Sequence, residues 1–285
     1  MKQLIAIAAA ITVIAACSPT KETMQELKAP TLTLKWETDT VLTTCESVLY
    51  DKAKDVLYVA NIMGKPDSVD GVGSIGKVGL DGKVIDAQWV KGLNAPKGMG
   101  IANGKLYVAD ITNLVEIDRE TGTVTKTYPV EGAVFLNDVT VDGAGKVYVS
   151  DSNSGAVSML DNGTIVPFLS GQHGPNGLLS DGETFLVALW ADKTLNTVND
   201  LKEVVLLADS IENPDGIEAV GDGGYLVSSW NGKVTYVSAD GRTKEILNTT
   251  ADGVSAADIE YIADKKLLLI PTFFKNKVVA YELAY

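Results

Sequence analysis

Apolar and polar residues alternate along this chain in short runs, and the runs return with a period of ~40 residues. The clearest mark of the period is a five-residue apolar segment: LYVAN (57–61), LYVAD (106–110), VYVSD (147–151), FLVAL (185–189), YLVSS (225–229) and LLLIP (267–271). In the third repeat, Asn137–Val141 reads as a first strand turned by Asp142-Gly143 and Gly145. Val147–Ser150 and Ala156–Leu160 follow as strands, then an Asn162-Gly163 hairpin turn and a fourth strand, Ile165–Leu169. The order recurs with Asp81-Gly82, Asp181-Gly182, Asp222-Gly223-Gly224 and Asp240-Gly241 at the turns. Helical periodicity over three turns is almost absent. The pattern predicts an all-β fold, a six-bladed β-propeller with four-stranded blades. The sixth repeat carries only three strands of its own. Leu32–Glu37 is predicted to join that C-terminal blade, closing the ring and removing its edges.

The N-terminus follows a different pattern. Met1-Lys2 precedes an unbroken apolar run, Leu4–Ala16, too short for an ordinary transmembrane helix. It ends in Ile14-Ala15-Ala16-Cys17, which resembles a bacterial lipobox. Residues 1–16 are read as a lipoprotein signal peptide, 17–30 as the lipidated Cys17 and a polar tether, and 31–285 as the propeller domain. The expected location is the bacterial cell envelope, with membrane contact only through the lipid anchor. A net charge of −13 argues against nucleic acid as a partner. No linker interrupts the repeats, so one domain and a monomer are expected. The single histidine, His173, excludes any site needing two imidazoles. With Cys17 lipidated, Cys45 has no intrachain disulfide partner and reads as a small buried apolar residue.

Chemistry enters at one position per repeat. Nine to eleven residues before each apolar segment stand Glu46, Lys97, Asn137, Asn176, Asp215 and Ala257, spaced by 51, 40, 39, 39 and 42 residues. The long first interval holds a polar Gly-bearing insertion, residues 65–73, read as a loop on one face. Innermost propeller strands converge on the axis, so Glu46, Asn137, Asn176 and Asp215 are expected to meet there. Two carboxylates and two amide carbonyls form a hard oxygen set suited to Ca2+, with Mg2+, Mn2+ and Zn2+ as alternatives. The competing reading is that Asn176-Gly177 and Asp215-Gly216 simply make turns. Lys97 either neutralises substrate charge or pairs with Glu46 or Asp215. Lys97 and Ala257 break the donor series, which makes the site one-sided. Asp138 and Asp258, one residue past their anchors, are either acceptors behind the site or strand-start turns. Trp190 and Trp230 either wall a pocket or fill the core. His173 reads as a surface-loop residue near the channel mouth, and Asp110 and Asp151 as turn formers.

Cys45-Glu46-Ser47-Val48, Leu136-Asn137-Asp138, Gly174-Pro175-Asn176-Gly177-Leu178 and Pro214-Asp215-Gly216-Ile217, in this order, resemble the gluconolactonase, regucalcin (senescence marker protein) and luciferin-regenerating enzyme superfamily. The resemblance runs from about residue 32 to the end. It implies a six-bladed propeller with a catalytic divalent ion in its channel, held by Glu46, Asn176 and Asp215, with Asn137 as ligand or substrate contact. It also implies metal-assisted hydrolysis of a small lactone or related ester, with Asp215 as general base or nucleophile. Gluconolactonase-like members typically carry an arginine two residues before the third-blade asparagine. This chain has Phe135 there, which points to a less polar substrate. The other class of function open to such a scaffold is a lipid-anchored propeller that binds a small ligand or a protein without catalysis.

Overall fold

The computed structural model describes residues 26–285. The signal peptide, Cys17 and most of the tether fall outside the described residues. Twenty-four strands form six four-stranded sheets, arranged as the repeats predict. The innermost strands are Cys45–Asp51, Pro96–Ala102, Leu136–Val141, Pro175–Asp181, Pro214–Ala219 and Glu260–Ile262. Blade six takes its fourth strand from the other end of the chain. Thr31–Glu37 pairs antiparallel with Val278–Ala284, from Thr31 opposite Ala284 to Glu37 opposite Val279. Helix is confined to two short 3-10 turns among the described residues. Leu27 and Ala29 of the expected tether pack onto blades five and six.

The second strand of each blade carries the repeated apolar segment and is buried on both faces; in blade one all of Val56–Asn61 is buried. Each such strand lies between two neighbouring blades, which explains its continuous apolar run. Six apolar clusters fill the six seams between blades. In one, Val48, Leu57 and Val59 of blade one meet Ile262, Leu269 and Ala280 of blade six. The seam between the last blade and the first is filled by apolar side chains like the other five. The outermost strand of blade two, Val124–Pro129 with Lys126, is exposed and mostly polar, which discourages pairing with other chains, whereas that of blade four, Val204–Ala208, is apolar with Val205 and Leu206 exposed.

Two local devices shape the centre. Five of the six innermost strands bulge at the same place, just after their first residue: Cys45/Ser47, Pro96/Met99, Leu136/Val139, Pro175/Leu178 and Pro214/Ile217. A bulge re-aims the side chains within it, and the residue it re-aims is the anchor. One residue further on, three blades carry glycine for close approach. A Cβ on Gly98 would stand 2.5 Å from the Asp138 Cα, and one on Gly216 would stand 2.5 Å from Ile259 N. A Cβ on Gly177 would run into the carbonyl oxygen of Asp215. Asn176-Gly177 and Asp215-Gly216 are thus inner-strand residues at a crowded axis, and the turn reading of these pairs does not hold.

Two outcomes test this architecture. Deleting residues 31–38 should abolish soluble folded protein, as judged by expression and circular dichroism; a deletion product with a normal melting transition would refute closure by this strand. Gly177→Ala should cost about 3 kcal/mol, from overpacking against backbone, and lower Tm by on the order of 10 °C. Gly143→Ala, where an added Cβ meets nothing within 4 Å, should melt close to wild type.

Candidate functional site in the central channel

The bulges bring the predicted donors together. Glu46, Asn137, Asn176 and Asp215, from blades one, three, four and five, line one cavity of about 630 Å³ at the mouth of the channel. All four are buried, with 2 to 8 % of their surface exposed. Lys97 and Phe135 line the same cavity. The four predicted donors, Lys97 and Phe135 thus share one cavity, while Cys17 lies outside the described residues.

Each donor is held by its surroundings. Asn137 Nδ2 donates to Ser152 Oγ at 3.2 Å, and that hydroxyl donates in turn to Pro175 O at 3.0 Å. The chain of bonds turns the Asn137 amide so that Oδ1 is the atom left for a cation or substrate. The Asn176 amide beside Asp215 acts to lower the pKa of that carboxyl. Glu46 Oε2 and Asn176 Oδ1 are buried with no hydrogen-bond partner. Buried orphan oxygens are rare in folded proteins and call for a specific cause. Burial, and then the nearby Asp138 carboxylate, pushes the Asp215 carboxyl up to about 8. Burial and then Asp215 hold Glu46 well above the usual carboxylate range, with Lys97 opposing. The Glu46 and Asp215 carboxyls together with the Asn137 and Asn176 amide oxygens form a hard oxygen set that fits a divalent cation. Among the described residues no three His, Cys, Asp or Glu side chains form a metal-binding group, so a cation here depends on the two amides.

Lys97 adopts neither expected pairing. Its ammonium donates to Pro66 O at 3.0 Å and Ala95 O at 3.1 Å, and lies 4.2 Å from the centre of the Phe135 ring. It forms no ion pair within 4.0 Å of Glu46 or Asp215, although burial lowers its pKa. Pro66 belongs to the 65–73 insertion, so Lys97 ties that loop to the cavity wall.

Behind the donors, Asp138 and Asp258 act as acceptors, not as strand-start turns. Asp138 Oδ2 accepts from Leu178 N at 2.6 Å, Asp258 Oδ2 accepts from Ser47 Oγ at 2.7 Å, and the two carboxyls hydrogen-bond each other. Burial raises both, Asp138 to about 6 and Asp258 well beyond its usual range. Cys45 is fully buried, with its thiol pushed up to about 11 by burial and donating to Lys277 O, which makes it a packing residue.

Sequence reasoning undervalued four residues. Asp110 accepts from Asn94 N and Ala95 N, and Asp151 from Val134 N and Phe135 N. Each lies at the end of a second strand and clamps the loop that delivers the anchor of the same blade. Asp151 also caps its own turn through Asn153 N and Ser154 N, so the turn reading was half of its role. The signal was their shared place at the end of LYVAD and VYVSD. Trp190 and Trp230 wall the cavity instead of filling the core between blades. His173 lies at the rim, exposed and beside Asp192, its Nδ1 3.0 Å from Oδ1.

No family model matches the sequence, and no curated protein matches it significantly. Solved structures do match in shape. A gluconolactonase from Xanthomonas campestris superposes with a TM-score of 0.64 at 17% identity, covering 90% of this chain and 96% of its own. A luciferin-regenerating enzyme does so with a TM-score of 0.64 at 13% identity, covering 90% and 95%. An inactive variant of virginiamycin B lyase from Staphylococcus aureus, with quinupristin, gives 0.64 at 13% identity, covering 89% and 99%. The chain therefore has the six-bladed propeller fold of the gluconolactonases and the luciferin-regenerating enzyme, the group its blade motifs resemble.

Proposed function

We propose that this protein is a divalent-metal-dependent hydrolase of a lactone or related ester. The observation that carries the reading is the convergence of Glu46, Asn137, Asn176 and Asp215 on one cavity, with Glu46 Oε2 and Asn176 Oδ1 buried and unpartnered. Glu46, Asn176 and Asp215 would hold the ion, Ca2+ by preference, and Asn137 would hold either the ion or the substrate. When bound, the ion supplies Lewis-acid polarisation of a carbonyl oxygen. The rest falls to the chain's own groups. Asp215 is the residue suited to take a proton from the attacking water or to attack directly. The Ser152 bridge fixes the Asn137 amide for orienting the substrate. Asp138 and Asp258 anchor the inner strands beneath the donors and keep the carboxyls above them crowded.

The gluconolactonase likeness supports hydrolysis through the fold alone. The lyase likeness points to other chemistry on the same scaffold. That lyase was inactivated by replacing a histidine, whereas the one histidine here is exposed at the rim, which favours hydrolysis. On this reading the enzyme works in the bacterial cell envelope, tethered through Cys17, because Leu4–Cys17 has the form of a lipoprotein leader.

Purified protein should carry one divalent ion per chain by elemental analysis and hydrolyse members of a lactone and aryl-ester panel, with activity lost to chelator and restored by Ca2+. Asp215→Ala should lower kcat at least ~100-fold. Glu46→Gln with Asp215→Asn should weaken ion binding more than ~100-fold, since ligand charge sets affinity. Unchanged metal content in the double variant would refute the ligand assignment. No ion, and no difference between wild type and Asp215→Ala, would remove the hydrolase reading.

A further inference from the structure

The cavity has two unlike halves. Its floor is the donor set, and its walls are aromatic. The chain has five Phe and four Trp, and five of these nine residues line this one space: Phe135, Trp190, Trp230, Phe273 and Phe274. The other four are engaged in the scaffold. Phe168 and Phe185 pack with Tyr148 between blades, Trp89 stacks on Tyr58, and Trp36 covers the turn at Gly82.

On the side of blades five and six the wall is continuous. Trp230 meets Phe273 and Phe274 edge to face, with centroids 5.4 and 5.8 Å apart, and the two phenylalanines lie 4.7 Å apart at 85°. Phe273 is held in a left-handed backbone conformation (φ 50°), unusual for a bulky residue, and its N–H is bonded to Cys45 O at 3.2 Å. Cys45 precedes Glu46, so the wall is tied to the strand that carries a donor. Phe274, beside it at the rim, leaves 65 % of its surface in water. An exposed aromatic at the lip of an apolar pocket marks a place where a ligand covers it.

The cations along the cavity are already committed. Lys97 gives its ammonium to two backbone carbonyls and the Phe135 ring. His173 lies against Asp192. Besides these two and the floor donors, the polar side chains that line the cavity are Ser152, whose hydroxyl donates to Pro175 O, and Asn153, so few donors face a row of hydroxyls.

We infer that the site takes a neutral ester or lactone bearing an aromatic or comparably bulky apolar group, seated against Trp230, Phe273 and Phe274 with its carbonyl over the donor floor. The reacting bond rests on the hydrolase reading; the chemistry of the ligand does not. A flat apolar group there buries aromatic surface that a polyhydroxylated ring cannot desolvate without losing its hydrogen bonds to water.

Two measurements on the full mature chain with Ca2+ present separate these layers. In the first, phenyl acetate and dihydrocoumarin should show kcat/KM at least ~100-fold above D-glucono-1,5-lactone. In Trp230→Ala and Phe274→Ala, checked for folding by their melting transitions, the kcat/KM ratio of dihydrocoumarin to δ-valerolactone should fall ~10-fold, mainly through KM. In the second, 1-phenylpropan-2-one, a neutral aryl ketone that cannot be hydrolysed, should quench the tryptophan fluorescence of Asp215→Asn, and D-gluconamide should not. Turnover of the sugar lactone in preference to the aryl substrates would overturn the inference and leave the hydrolase standing. Saturable ketone binding with no hydrolysis of any ester would remove the hydrolase and uphold the inference. No ketone binding, or an unchanged substrate ratio in both wall variants, would overturn the inference.

Discussion

Six strands can share one axis only if their backbones come nearly into contact, and that crowding organises everything above and below it. Gly98, Gly177 and Gly216 stand where a Cβ would strike the neighbouring blade. The space saved lets Asp138 and Asp258 reach each other, Asp138 the backbone N–H of Leu178 in blade four and Asp258 the Ser47 hydroxyl of blade one. A floor knitted in this way has little freedom to relax. Donors mounted on it keep their positions even where those positions bring carboxyls together, and a rigid scaffold is what a preorganised site requires.

The asymmetry of the site follows from which blades depart from the repeat. Blades one, three, four and five aim oxygens at the centre. Blade six presents Ala257 instead, which packs with Ile62 and Phe273 under Trp230. Blade two presents Lys97, which turns aside to hold the 65–73 insertion. A symmetric fold thus yields a pocket with a polar floor, an aromatic side and a cationic side whose charge is spent internally. The clamps at Asp110 and Asp151 belong to the same logic, since each fixes the approach of one anchor through backbone N–H groups.

Much of this was legible in the residues. Blade number, strand order, the closing strand and the convergence of Glu46, Asn137, Asn176 and Asp215 all follow from period and register, because each blade repeats one local pattern. What the pattern left open lies between blades. Whether Gly177 serves a turn or a close approach depends on Asp215 of the next blade. Whether Trp190 and Trp230 face a seam or the cavity depends on the last few residues of a second strand, where alternation gives way to loop. The partners of Lys97 sit in an insertion that has no counterpart in the other repeats, so no comparison among repeats reveals them. Local periodicity encodes strands well and contacts across the axis poorly.

The pairing of Thr31–Glu37 with Val278–Ala284 also has a temporal side. The first strand of the ring to be synthesised waits for the last. Five blades can assemble from neighbouring hairpins as the chain emerges, but the seam between blades six and one forms only once nearly the whole sequence is available. Contacts of such long sequence separation are slow to form and their loop entropy is paid late. Until then the nascent chain is an open arc with two apolar flanks, a state that a chaperone can hold and that a passing strand edge can capture.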